Sequence, residues 1–520
     1  MMIPSTRFAS RLVLALGCIA IAVAAPAERP LGDTTLVIGK TGLMLAAPVS
    51  RMAPYRPANG NVGDTWYLQR EELTHMFVLS GGGIGHATSR DLIHWDEQPM
   101  AVHKGPPGSY DEEDLWTGCT VEHDGTIYLY YCNNKIENGR KRQGMSLATS
   151  KDGGTTFTKF AGNPLFEPDP KQYFTINDPV PPFVYHARPM VDCRDLITVK
   201  DPVGDGWLGY VVMRRKTTDA FSSSCIGLWH SKDLVHWESK GPCFTPNRHN
   251  CIEVPDVFKL GSHWYLLGLS GNGYGQSNRW SDPNIFQCTI VAMADQAQGP
   301  FEEVMDDFIV SASDAHCGSV RSVERNGERL ALYTRSGSTG NRVSLPLKLI
   351  ERAGGGLTSV YWPGTDQAFG PVLKAADVEL QAPDGWRAQA LDAFPVDSRA
   401  RMITASISFH GADAAGLAFR HAGANVTDPG YAVVLDAAAG EVALVKLPEF
   451  TPIQKRRWPI RQGGEHAIRI VVVENMFDVF IDNQLALLGS NSEIQAGGVS
   501  VLARKGSPRF TAIECRAEAE

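Results

Sequence analysis

Ala87-Thr88-Ser89-Arg90-Asp91-Leu92-Ile93-His94-Trp95 has two echoes further along the chain. One is Ala148-Thr149-Ser150-Lys151-Asp152-Gly153, followed by Phe157; the other is Trp229-His230-Ser231-Lys232-Asp233-Leu234-Val235-His236-Trp237. Each copy reads as an apolar strand, a Ser-basic-Asp step and an aromatic. Ser and Asp side chains bond the backbone just beyond them and so shape turns, and the aromatic anchors the strand that follows. A second element recurs five times, a short aromatic strand after a polar turn: His75-Met76-Phe77-Val78-Leu79, Thr126-Ile127-Tyr128-Leu129-Tyr130-Tyr131, Trp207-Leu208-Gly209-Tyr210-Val211-Val212, His263-Trp264-Tyr265-Leu266-Leu267 and Arg329-Leu330-Ala331-Leu332-Tyr333. Several copies follow Asp-Gly, Asn-Gly or Gly-Ser, the dipeptides of tight hairpins. Five copies at roughly 50–80-residue spacing predict five four-stranded blades, a β-propeller over residues 31–350. A β-sandwich with accidental similarity is the rival, and the coincidence of both repeats argues against it.

Beyond the run Gly354-Gly355-Gly356 the pattern changes to alternating strands at 402–409, 416–420, 431–435, 466–473, 477–481 and 498–502, with a turn at Asp482-Asn483-Gln484. These predict an antiparallel β-sandwich over 375–520, jelly-roll or concanavalin-like in style. The whole is therefore expected to be all-β. A length of 520 residues, 43% hydrophobic and 20% charged, suits two domains with a large core. A net charge of −8 argues against a nucleic-acid partner.

Arg7 and Arg11 precede an apolar run over 12–25, and Ala25-Pro26-Ala27 has the small-x-small form of a cleavage site. Residues 1–27 thus predict a signal peptide and a secreted or periplasmic protein. The run is short for a membrane span, and no later stretch is long and apolar enough to be one. Cys18 raises a lipoprotein reading, which the apolar run continuing past it disfavours. Removing Cys18 from ten cysteines leaves nine, an odd number without C-x-x-C spacing. One or two disulfides fit this, but buried structural thiols fit better.

Three separated carboxylates carry the chemistry. Ile252-Glu253-Val254-Pro255-Asp256-Val257-Phe258 puts Glu253 at a strand edge before an apolar strand, a setting that raises a carboxyl pKa as a general acid requires. Asp195 lies in Cys193-Arg194-Asp195-Leu196, and Asp64 in Gly63-Asp64-Thr65-Trp66-Tyr67. Each has a plainer reading: Asp64 as a turn cap after Asn59-Gly60-Asn61, Asp195 as the structural partner of Arg194, Trp116 as core, and His86 and His316 as structural histidines. Asp114 reads as a loop charge close to Trp116; Asn177-Asp178-Pro179 and Asp282-Pro283-Asn284 read as turns. No His/Asp/Glu cluster has metal spacing, and no cofactor is called for.

Taken together the motifs resemble glycoside hydrolase family 32, the β-fructosidases (invertases, levanases, inulinases). Gly85-His86-Ala87-Thr88-Ser89-Arg90-Asp91-Leu92-Ile93-His94-Trp95 is similar to that family's G-H-A-x-S-x-D-L-x-x-W segment. Trp116-Thr117-Gly118-Cys119-Thr120-Val121 is similar to F-S-G-S-A-V, Arg194-Asp195 to R-D-P, and Glu253-Val254-Pro255-Asp256-Val257-Phe258 to E-C-P-D-L-F. The resemblance implies a propeller with a trailing sandwich, a poly- or oligosaccharide substrate, and retaining cleavage of a β-fructofuranosyl bond. It implies Asp64 as nucleophile, Glu253 as general acid/base and Asp195 as transition-state stabiliser. Arg194, Trp116, Thr117 and His86 would contact substrate. The chain departs from the pattern at several points: Asp64 lacks the Asn before and the Pro after it, Leu79 or Ser80 replaces a glutamine, Leu196 replaces the R-D-P proline, and Val254 replaces the cysteine.

A retaining glycosidase holds its two carboxyls about 5 Å apart. Neighbouring strand residues point to opposite faces, so the three carboxylates are expected from separate blades converging on one funnel. The departures keep two alternatives open: an inverting, family 43-like glycosidase for arabinose, xylose or galactose units, and a carbohydrate-binding protein without catalysis.

Overall fold

The computed structural model of the chain describes residues 36–39, 42–45, 55–58, 62–181, 189–272, 276–279, 285–312, 317–337, 340–394 and 401–519. The expected signal peptide, His316 and Asp282-Pro283-Asn284 lie outside them. Leu36–Gly39 and Gly42–Leu45 pair antiparallel in a unit of their own, and residues 50–520 form the other unit. The chain is nearly all β: among the described residues helix is limited to Ala220–Ser223 and a 3-10 turn at Pro363–Ala368.

Five sheets follow one another, antiparallel but for a short parallel pairing of Arg140–Ser150 with Met190–Val191 in the second. The first is Thr65–Arg70, Leu73–Ser80, Gly83–Ser89 and Asp96–Val102. The second is built on Thr126–Glu137 and Arg140–Ser150, with Leu115–Trp116 and Thr120–His123 along one edge. The third runs Cys193–Lys200, Trp207–Arg214, Ser224–Ser231, Glu238–Phe244; the fourth runs Glu253–Leu260, His263–Gly271, Gln287–Ala294, Glu302–Ala312. The fifth opens with Cys317–Arg325 and Glu328–Gly337. Each of the five aromatic strands singled out in the sequence is the hydrogen-bonded neighbour of its sheet's opening strand. The opening strands touch in cyclic order: Thr65–Arg70 meets Thr120–His123, then Cys193–Lys200, Glu253–Leu260 and Cys317–Arg325, which closes back on Thr65–Arg70.

The repeated Ser-basic-Asp step acts as its residue types dictate. Ser89 Oγ accepts from Leu92 N–H, and Asp91 Oδ1 accepts from the N–H groups of Ile93 and His94. Asp233 repeats this with Val235 and His236, and Leu92 and Leu234 share a φ of 65°. Aromatics stitch one sheet to the next. Phe157 packs edge-on to Phe77 at 5.7 Å and Trp237 edge-on to Tyr130 at 5.8 Å. The Tyr130 hydroxyl donates to Leu234 O at 2.6 Å, and Tyr210 to Ala297 O at 2.6 Å.

The fifth sheet does not end near residue 350. Leu347–Glu351 pairs Leu357–Tyr361, and Val360 pairs Gln484, so the ladder continues through Gln484–Ser490, Met476–Ile481, Glu465–Val473, Arg401–Ser408 and Arg509–Ala517. A six-stranded sheet built around Ala414–His421 and Gly430–Asp436 shares one apolar core with these strands, including Ile403, Phe419, Ile470, Phe477, Val501 and Phe510. The turn at Asp482-Asn483, both with positive φ, leads into Gln484–Ser490, a strand the alternation did not reveal. The eight cysteines with described side chains, Cys119, Cys132, Cys193, Cys225, Cys243, Cys251, Cys288 and Cys515, are buried free thiols, so burial rather than pairing accounts for them.

Arg335 ties the fifth sheet to the C-terminal strands. Its guanidinium is 3% exposed and bonds Asp478 and the carbonyl of Gly489. Removing one partner of a buried pair leaves the other charged and unmatched. Arg335→Leu is therefore expected to cost about 3–5 kcal/mol in urea unfolding, and Arg335→Leu with Asp478→Leu less than the sum of the singles.

Candidate active site

Three carboxylates and their partners line one cavity of about 200 Å³: Asp64, Leu79, Trp116, Thr117, Arg194, Asp195, Glu253, Val254 and Leu269. Asp64 immediately precedes the first opening strand, Asp195 sits near the start of the third and Glu253 begins the fourth. The cavity thus lies where the opening strands begin.

Backbone irregularity sets the side-chain directions. The ladder of the third sheet slips between Arg194 and Ile197, and that of the fourth between Glu253 and Asp256. Such bulges let consecutive residues share a face, which is why Arg194 with Asp195, and Glu253 with Val254, both line the cavity. Asp195 has φ 61° and Val254 φ 50°, a costly conformation for a β-branched residue. The two bulges brace each other, since Val254 N–H donates to Asp195 Oδ2 at 2.9 Å. A third slip, between Cys317 and Val320, brings in Ser319. Its hydroxyl donates to Asp64 Oδ1 at 2.7 Å while Thr117 donates to Asp64 Oδ2 at 2.6 Å. Thr117 is placed by Gly118, where a Cβ would stand 2.0 Å from Tyr130 O.

Arg194 is the hub. Its Nη2 donates to Glu253 Oε1 at 3.0 Å, its Nη1 bonds Asp192, and its Nε lies 3.5 Å from Asp195 Oδ2. Arg214 Nε holds the other Asp192 oxygen. Burial pushes Asp192 up, but the Arg214 and Arg194 guanidiniums outweigh it and leave it below the usual carboxylate range. Burial prevails at Asp195, which is pushed up to about 7, with Asp64 and Glu253 adding repulsion against Arg194. Glu253 is likewise raised by burial and by Asp64, against Arg194 and a hydrogen bond from Gln276.

Six of the seven residues singled out in the sequence meet here: Asp64, Asp195, Glu253, Arg194, Trp116 and Thr117. Trp116 is held at the edge by Asp114, whose Oδ2 accepts from Nε1 at 2.8 Å, and by Lys141 Nζ 4.4 Å from the ring centre. His86 does not join them, a correction to the expected substrate contact. It is 4% exposed, stacked against Phe77 at 4.9 Å and against His75, with Nε2 3.0 Å from His75 Nδ1. Burial in that aromatic stack pushes it to about 3, so it is a neutral core residue. Sequence reasoning missed Ser319, Asp192, Arg214 and Gln276. Only Asp192 carried a signal, its place two residues before Arg194; Ser319 comes in at a bulge, Gln276 from a loop, and Arg214 from the end of the strand Trp207–Arg214. Among the described residues no group of three or more His, Cys, Asp or Glu is placed to hold a metal ion.

Residues 83–304 match the family described as "Glycosyl hydrolases family 32 N-terminal domain". That span includes Trp116, Thr117, Arg194, Asp195 and Glu253 and begins after Asp64. Relatives include the levanbiose-producing levanase of Bacillus subtilis, 26% identical over 211 residues (39% of this chain, 34% of that one). The sucrose-6-phosphate hydrolase of Zymomonas mobilis is 36% identical over 209 residues (37% and 36%). The chain spans about a third of the length of the curated relatives it matches. Among solved structures, an Aspergillus kawachii β-fructofuranosidase superposes with a TM-score of 0.68 at 14% identity, covering 90% of this chain and 94% of that one. A Bombyx mori GH32 β-fructofuranosidase gives 0.65 at 16%, covering 89% and 93%. These superpositions speak to fold alone.

Because the Asp195 carboxyl is raised in the folded state, the native chain binds more protons than the unfolded one between the unfolded carboxyl pKa and about 7. Stability from this group is therefore full below the unfolded value and falls as pH rises toward 7. Asp195→Asn keeps an acceptor for Val254 N–H and is expected to raise the melting temperature more at pH 8 than at pH 5.

Proposed function

We propose that this chain, whose residues 83–304 match the glycosyl hydrolase family 32 N-terminal domain, is a member of that family and hydrolyses β-fructofuranosyl bonds by a retaining double displacement. The observation that carries this reading is the convergence of Asp64, Asp195 and Glu253 on one ring-sized cavity. We read the five sheets of the unit 50–520, with opening strands in a closed ring, as a five-bladed propeller, braced by a sandwich over 375–520.

In this mechanism Asp64 attacks the anomeric carbon, its carboxylate oriented by the Thr117 and Ser319 hydroxyls. Glu253, whose proton affinity is raised by burial, protonates the leaving oxygen and then takes a proton from the incoming water. Asp195 accepts sugar hydroxyls and opposes the positive charge that develops on the ring. The Arg194 guanidinium keeps Glu253 and Asp195 from repelling each other out of position. Trp116 offers a face to the sugar. No step calls for a cofactor. The substrate is an oligo- or polysaccharide, and residues 1–27 would direct the chain to the periplasm or outside the cell.

Leu79 lines the cavity where the family pattern has an amide, and this keeps a second reading in view, an inverting glycosidase for another sugar. Stereochemistry decides between them: NMR of first-turnover products is expected to show retained configuration. A screen on sucrose, inulin, levan and arabinan is expected to find activity on the fructosides. Glu253→Gln should lower kcat by about 10²–10⁴-fold with binding retained. A protein that binds without hydrolysing would show no kcat to lose.

A further inference from the structure

Glu253 is held at both carboxyl oxygens by one continuous hydrogen-bond circuit. Arg194 Nη2 donates to Oε1 at 3.0 Å, and Gln276 Nε2 donates to Oε2. The circuit leaves Arg194 through Asp192 to Arg214, whose Nη1 donates to Asn250 O at 3.0 Å. Asn250 passes it on: its Oδ1 accepts from Ser277 N–H at 2.7 Å, and its own N–H donates to Ser277 O at 3.1 Å. Ser277 is the chain neighbour of Gln276, which closes the loop. Asn278 fastens the same segment by donating to Gly271 O at 3.2 Å and to Asn272 Oδ1 at 2.6 Å. Gln276 is 8% exposed and Glu253 7%, so this contact is shielded from bulk water.

A donor at each oxygen suits the ionised form of a carboxyl, which accepts at both. An acid/base residue must alternate between that form and one with a proton on one oxygen. Arg194 carries donors only and cannot follow the change. Gln276 carries a donor and an acceptor on one rotatable amide, and a half-turn about its last bond presents Oε1 to a protonated Glu253.

The geometry points to Gln276 as a positioning residue for Glu253: its amide donates to the carboxylate, reverses to accept from the carboxylic acid, and is kept in reach by Asn250. The catalytic part of this inference rests on Glu253 being the acid/base of the proposed reaction; the pairing itself does not. Other charged and titratable groups face Glu253 as well, namely Arg194, Asp195, Asp64 and Cys251. They are common to the parent and the variants below, so a difference between them reports on residue 276.

The bond that the Gln276 amide donates to the carboxylate is charge-assisted and stronger than the neutral one it accepts from the acid after reversal, so losing both leaves a net rise in the Glu253 titration midpoint. The test is a ¹³C-NMR titration of the Glu253 carboxyl carbon in the full chain without substrate, assigned by its loss in Glu253→Gln. It is run on the parent, Gln276→Met and Gln276→Glu. Met has similar length and no donor; Glu adds a repelling charge. The expected midpoint rises by roughly 0.5–1 pH unit in Gln276→Met and further in Gln276→Glu, with the alkaline limb of kcat/KM moving by the same amount and melting temperatures reporting an intact fold. Should one variant fail to fold, the other decides. A folded variant whose midpoint stays within about 0.2 pH unit of the parent, or falls, overturns the inference. A raised midpoint in a protein inactive on all glycosides would sustain the pairing while removing the proposed hydrolysis.

Discussion

Arg194, 1% exposed, shares one guanidinium among Asp192, Asp195 and Glu253, and the rest of the site is arranged around that sharing. A buried carboxylate without compensation costs several kcal/mol, and three of them near a fourth at Asp64 would not stay together. The cation does not treat them alike. Asp192 takes two guanidiniums and sits below the ordinary range, while Asp195 and Glu253 are left raised by burial and mutual repulsion. One cluster therefore contains a permanent anion beside two carboxyls whose proton affinity is raised, the separation that acid–base chemistry needs.

The second constraint is local backbone. A regular strand turns alternate residues away, and so would have pointed Arg194 and Asp195 in opposite directions. Slips in the third, fourth and fifth ladders place functional side chains at the cavity end of three opening strands. The positive φ at Asp195 and Val254 is local cost, and the hydrogen bond between the two bulges offsets part of it. Such geometry concentrates where chemistry is done because nothing in the core requires it.

Much of this was legible in the residues. The Ser-basic-Asp turns and five aromatic strands come from short-range rules, hydrogen bonding of small polar side chains and hairpin preferences, and they fall on five successive sheets. Glu253 was legible because it stands at a strand edge before an apolar strand; Asp195 and Asp64 were legible through the resemblance of their segments to family 32. Ser319 and Gln276 were not, since each reaches its carboxylate partner by a slip or a loop whose path depends on distant neighbours, and Arg214 was not, since it ends a regular strand and meets Asp192 only through the fold. His86 misled because its motif is a turn-and-core motif; the ring is taken up by Phe77, His75 and Phe157. The strand Gln484–Ser490, joined to residues 357–361 through one residue pair, was hidden because that pairing crosses more than a hundred residues.

The hydrogen bond from Ser319 to Asp64 spans 255 residues of chain and joins the last opening strand to the first. Asp64 therefore has only one of its two hydroxyl partners until the fifth sheet is in place. A chain lacking its fifth sheet carries an incompletely held Asp64. The closing strand thus acts as a clasp, and a cavity lined at one end of the ring is finished only from the other end of the chain.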